Sequence, residues 1–234
     1  MGYYYFDYTY FLYMLPALVL SLYAQFKVKA TFEKYSRVTS SRGLTGREAA
    51  EAVLRFGSVR GVSVRQIPGS LTDHFDPRTG VISLSAPVYN VSSISAVGVA
   101  AHEAGHAIQH AVGYLPNRIR SFLVPVTNFG SRLSMPLILI GLLLPVQYDF
   151  VVLIGIALYS LMVLFQLVTL PVEFNASRRA VRALDQAGVL YPNELAGAEK
   201  VLRAAALTYL AATFTSLMSL LRLLAIVGSR RRRD

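Results

Sequence analysis

The sequence predicts a mainly α membrane protein, in which transmembrane helices carry a small α+β domain split by a transmembrane hairpin. Three observations lead there. Apolar residues make up 54% of the chain and charged residues only 15%, against about 25% charged in an ordinary soluble domain. The apolar residues gather in runs long enough to span the roughly 30 Å hydrocarbon layer. Between the first two runs, residues 44 to 120 show short helical and strand-like patterns broken by turn formers.

The elements follow in order. Residues 3–26 read as an N-terminal transmembrane anchor, with Phe11 to Phe26 free of charge behind a tyrosine-rich start. The segment lacks the basic start and small-residue cleavage site of a signal peptide, so it is read as retained. Phe6 stands where myristoylation would need Ser or Thr. Residues 27–120 form the first part of the soluble domain. In it, Thr45 and Glu48 make a capping box for a short amphipathic helix ending at Gly57. Val62 to Ile67 and Val81 to Ser85 alternate like strands, and the turn-rich Pro68 to Gly80 separates them. Ser92 or Ser93 caps a proline-free helix from Ile94. Residues 121–171 form the hairpin, turning at Gln147-Tyr148-Asp149. Pro171 suits the first turn of a new helix, and residues 172–203 return the chain to water. Residues 204–234 are an apolar helix, interrupted by Arg222, with a basic tail.

The net charge of +10 has no aromatic-basic recognition motif beside it, so nucleic acid is not expected as a partner. Basic residues instead mark the cytoplasmic side and meet membrane lipid. Residues 1–10 and 147–149 carry no Lys or Arg, which places the N-terminus and the hairpin tip outside and the domain in the cytoplasm. The tail opposes this arrangement, because four arginines would end up outside if 204–227 crossed. A final helix that does not cross simply is therefore expected.

The chemistry lies in Ala101-His102-Glu103-Ala104-Gly105-His106. On a helix, His102 and His106 sit one turn apart and can reach a single metal. Glu103 is placed to take a proton from a water attacking a carbonyl. The chain has no cysteine, so a metal must rest on His, Asp and Glu. His110 continues the series, but a helical face drifts about 40° every four residues, and three such positions converge poorly on one ion. Val112 stands where the metzincin pattern has its third histidine. Glu173, just past the hairpin, is the better third ligand. His74 is either a donor to the oxyanion of the scissile carbonyl or a turn histidine bonding local backbone. Tyr209 is a weaker oxyanion candidate.

Several stretches resemble the YugP-like neutral zinc metallopeptidases of bacterial membranes. They are Leu71-Thr-Asp-His-Phe-Asp-Pro-Arg78, Val99-Ala-Ala-His-Glu-Ala-Gly-His-Ala-Ile-Gln109, Val124-Pro-Val-Thr-Asn-Phe-Gly130, Leu164 to Ala180 and Ala205 to Ala212. The resemblance implies a peptidase of the bacterial cell membrane with zinc on His102, His106 and Glu173. A more distant likeness is to the membrane gluzincins of the heat-shock and CAAX-processing type, which carry ExxAD. Here Ser177 replaces their aspartate, so Asn175, Ser177 or an acidic residue elsewhere must orient the ligand histidine.

The expected function is thus a zincin-like endopeptidase with one zinc ion per chain, acting on membrane or membrane-near protein or peptide substrates. Two rivals remain. An intramembrane protease of the site-2 kind would need a later-helix aspartate, and only Asp149 is offered. A non-proteolytic zinc-binding scaffold or accessory protein would have no use for Glu103.

Overall fold

The computed structural model describes residues 9–230. The first residues of the 3–26 anchor and the last of the basic tail, 231–234, lie outside them. Among the described residues the chain is mainly helical, with four helices long and apolar enough to cross a membrane and one three-stranded sheet. It divides into two compact units.

One unit comprises residues 24–118 and 171–208. Helix α1 (Leu15–Ser36) contributes its second half. Helix α2 (Gly46–Phe56) starts at the expected capping box, with Thr45 and Glu48 bonding each other's backbone N–H, and ends at Gly57. Strand β1 (Ser63–Ile67) pairs in parallel with β3 (Val81–Ser85), and β2 (His74–Asp76) pairs antiparallel on the other edge of β3. The turn-rich segment therefore contains a strand that sequence patterning does not reveal. Asp73 holds it in place, its Oδ1 accepting from the Ser85 N–H at 2.7 Å. Helix α3 (Ala86–Tyr89) leads to α4 (Ile94–Ala111), whose small residues Ala96, Ala100, Ala104 and Ala107 are buried against Val53, Ile82, Leu84 and Leu184.

The other unit holds residues 9–23, 119–170 and 209–230. Here α5 (Leu115–Leu143) and α6 (Asp149–Gln186) turn through a 3-10 segment at Val146–Tyr148. Glycines permit close helix approach: a Cβ at Gly155 would lie 2.9 Å from the Ser134 carbonyl oxygen. Small residues at such crossings are the usual packing device between apolar helices. The later turns of helix α7 (Pro192–Arg230) pack on the hairpin, with Val227 among Ile138, Val152 and Ile156. At its end Arg230 donates to the carbonyls of Gly141, Leu142 and Leu144 and pairs with Asp149 at 3.5 Å. Ser21 bonds Thr215 at 3.1 Å, which sets α1 against α7.

Two expectations are corrected. Pro171 does not open a new helix, because α6 continues through it to Gln186. A proline inside a helix costs about 3 kcal/mol, and the complete burial of Val172, Ala176 and Ala180 just beyond it offsets that cost. Nor does the last helix stop short. Arg230 reaches the hairpin turn, so the last turns of α7 pack beside the hairpin tip rather than on the soluble domain.

Candidate metal centre

Helix α4 begins where Ser93 Oγ accepts from the Ala96 N–H at 3.2 Å, and its alanines favour helix over extended backbone. Gly105 brings it against α6: a Cβ there would lie 2.6 Å from the Ala176 carbonyl oxygen. That approach sets His102 and His106 against Glu173, one turn before Ala176. Glu173 is 2% exposed, and both histidines are mostly covered.

The Nε2 atoms of His102 and His106 lie 3.3 and 3.4 Å from Glu173 Oε2. These separations are long for charge-assisted hydrogen bonds, which run about 2.7–2.9 Å. They match the spacing of about 3.3–3.4 Å between donors each about 2.0–2.1 Å from a tetrahedral zinc. Ligand atoms from all three residues fall within 4.8 Å of one another. Among the described residues no second such cluster occurs, and neither His74 nor His110 belongs to this one.

Each histidine is also held from behind. His102 Nδ1 is 3.1 Å from Ser177 Oγ, and His106 Nδ1 is 3.0 Å from Gln109 Oε1. With a metal bound, each ring proton would stay on Nδ1, donating to these oxygens, and Nε2 would be free for the ion. Gln109 is fully buried and donates to the Val172 carbonyl at 2.7 Å and to Asn175 Oδ1 at 3.0 Å. Asn175 Oδ1 also accepts from Arg179 Nε at 2.7 Å. In place of an aspartate, Ser177 meets one histidine, Gln109 meets the other, and Asn175 bonds Gln109. Sequence reading missed Gln109. Its signal was a glutamine three residues after His106 on an otherwise apolar helix face.

The electrostatics suit a cation. Glu173 lies two residues past the hairpin, in the polar part of α6. Burial alone would raise its carboxyl, but hydrogen bonds from His102 and His106 and their charge outweigh burial and hold it well below the ordinary carboxylate range. Burial pushes His106 down, yet Glu173, Glu103 and Gln109 together raise it above an ordinary histidine. Both shifts have one cause: the carboxylates of Glu173 and Glu103 favour positive charge beside the imidazoles, which a proton or a metal ion can supply. Glu103 is buried and forms no hydrogen bond or ion pair with any described residue.

A family model described as "Putative neutral zinc metallopeptidase" matches residues 10–228. A relative from Bacillus subtilis (strain 168), described as "Putative membrane protease YugP", is 49% identical over 212 residues, which is 91% of this chain and 93% of that one. The chain belongs to the neutral zinc metallopeptidase family. No solved structure matches it. Family membership supports a proteolytic role and implies zinc. A set of two imidazoles and one carboxylate, with no thiolate, fits a zinc that keeps a position open for chemistry. The remaining sequence candidates lie elsewhere. His74 is exposed on β2 with Nδ1 2.8 Å from the Thr72 carbonyl. The His110 ring centroid is 6.0 Å from that of Phe75. Tyr209 belongs to the four-helix unit.

Proposed function

We propose that the protein is a membrane-bound zinc-dependent endopeptidase, with one zinc ion per chain held by His102, His106 and Glu173. The observation that carries this reading is the meeting of those three donors next to the Glu103 carboxylate, which hydrogen-bonds no described residue. Zinc, when bound there, supplies a Lewis acid for carbonyl hydrolysis. Glu103 takes a proton from the water that attacks the scissile carbonyl and returns it to the departing amine. Gln109 and Ser177 hold the ligand imidazoles in one tautomer and orientation. His74, on a strand packed against α4, is the candidate for contact with substrate. The catalytic segments 27–120 and 172–203 face the cytoplasm, and the substrates are membrane or membrane-near proteins.

The test is metal analysis and proteolysis of the purified full chain in liposomes, with fluorescent casein and a membrane-anchored reporter as substrates. Wild type should carry one zinc and cleave. Glu103→Gln keeps size and hydrogen bonding but accepts no proton, so it should retain zinc and lose about 10²- to 10⁴-fold in rate. Near-normal turnover by that variant would sink the mechanism. Zinc without cleavage by the wild type would favour the scaffold reading.

A further inference from the structure

A cleft of about 410 Å³ lies between the later turns of α1 and the early turns of α7. Lys27, Thr31, Lys34 and Tyr35 line it from α1, and Lys200, Arg203, Ala204 and Leu207 from α7. Both sets follow helical spacing, so each is one face of its helix. The two helices converge at one end, where a Cβ on Gly197 would lie 2.8 Å from the Tyr35 ring. Beyond that contact the cleft opens between them.

Its lining is one-signed, with four cations and no acidic residue. Of these, Arg203 is bonded to Glu199 at 2.6 Å, and Lys34 lies 5.6 Å from the Tyr35 ring centroid. Lys27 and Lys200 have no acidic partner among the described residues. Cations crowded in this way repel one another, so the arrangement is more stable with an anion between them. The hydroxyls of Thr31 and Tyr35 add donors suited to phosphate oxygens.

Position decides which anion. Phe26 ends the first apolar run, and Ala204 begins the last one. The cleft therefore sits where two apolar helices become polar, with Lys27 and Leu207 nearest the apolar turns and Lys34, Tyr35 and Lys200 nearest the polar ones, the level of the headgroups for helices that span a membrane. Basic pockets at such junctions take lipid headgroups. We propose that this cleft binds the phosphodiester headgroup of an anionic phospholipid, separately from the metal centre. The proposal needs no catalytic assignment to hold.

The experiment measures lipid retained by the purified full chain, by native mass spectrometry after exposure to mixed micelles of phosphatidylglycerol and phosphatidylcholine. Two variants each lose four cations to glutamine. The first is Lys27→Gln with Lys34→Gln, Lys200→Gln and Arg203→Gln. The second, with equal charge loss elsewhere, is Arg55→Gln with Arg60→Gln, Arg65→Gln and Arg78→Gln. All eight side chains are exposed, and helix content by circular dichroism checks that both variants fold. Wild type and the second variant should retain phosphatidylglycerol over phosphatidylcholine, and the first should retain about tenfold less. Equal loss in both variants would reduce the effect to general charge and overturn the site. So would indifference of the wild type to headgroup. Displacement of the lipid by millimolar inorganic phosphate would make a free anion, not a lipid, the ligand.

Discussion

Gln109 has no chemistry of its own, yet it joins His106 on α4 to Val172 and Asn175 on α6. Replacing it by leucine keeps the volume and strands the His106 Nδ1 proton in an apolar setting. Losing such a supporting partner typically costs 10- to 100-fold in metal affinity. Competition with a zinc chelator should show a loss of that order in Gln109→Leu, with helix content unchanged. The ligands themselves can be sorted the same way. Glu173→Ala should lose most of its zinc, and His110→Ala should keep it. Full occupancy in Glu173→Ala would remove that residue from the ligand set. At this scale the sequence was legible wherever spacing carries the chemistry: the two histidines one turn apart, and a carboxylate just past an apolar run. Gln109 was not legible, because its role depends on the carbonyl and amide opposite, which no pattern within α4 encodes.

Helix termini and short strands were read unevenly, for a common reason. The Thr45–Glu48 capping box and the Ser93 cap are local, so residues a turn apart suffice to locate them. Strand β2 exists only because β3 lies beside it, and three residues carry no period of their own. Pro171 reads locally as a helix start, whereas burial on the following turns keeps α6 in one piece. The start of α7 combines both levels. Glu194 Oε2 accepts from the Tyr191 N–H at 2.9 Å, as in a capping box, while its Oε1 accepts from the Ser41 N–H and Oγ at 2.6 and 2.7 Å. Burial would raise this carboxyl, but those hydrogen bonds outweigh it and hold it below its usual value. A carboxyl depressed in the folded state stabilises the protein above its unfolded value of about 4.5. That contribution disappears as pH falls through the lower folded value. Glu194→Gln should therefore lose about 1–2 kcal/mol at pH 7. Its deficit should shrink as acid protonates the wild-type carboxyl. Unfolding series for the two proteins at pH 7 and pH 3 check this, and a deficit independent of pH would mean the charge plays no part.

The class of the whole molecule was evident in composition and in the length of its apolar runs. The course of the last helix was not. Counting basic residues argued against its crossing, but contacts of Arg230 with the hairpin turn settle how α7 packs, and charge statistics carry no information about packing. Single cysteines test the resulting topology without interference, since the chain has none of its own. Cysteines at Tyr148 and Ser229 should be labelled together by an impermeant maleimide on intact cells. Cysteines at Ser70 and Asn193, both exposed in the structure, should be spared. The reverse pattern would place the metal centre outside the cytoplasm. Labelling that separated Tyr148 from Ser229 would contradict the course of α7.

The Arg230 contacts also have a consequence for the order of synthesis. The last carbonyls of α5 lack donors within their own helix, and the guanidinium that serves Leu144 is made 86 residues later. While the ribosome is still extending α7, the hairpin tip must rely on water for those bonds. The tip is then a temporary end, completed only once Arg230 has been made. A nascent or truncated chain stopping before Arg230 should be cut by added protease near residues 144–149, far in sequence from the residue it is missing.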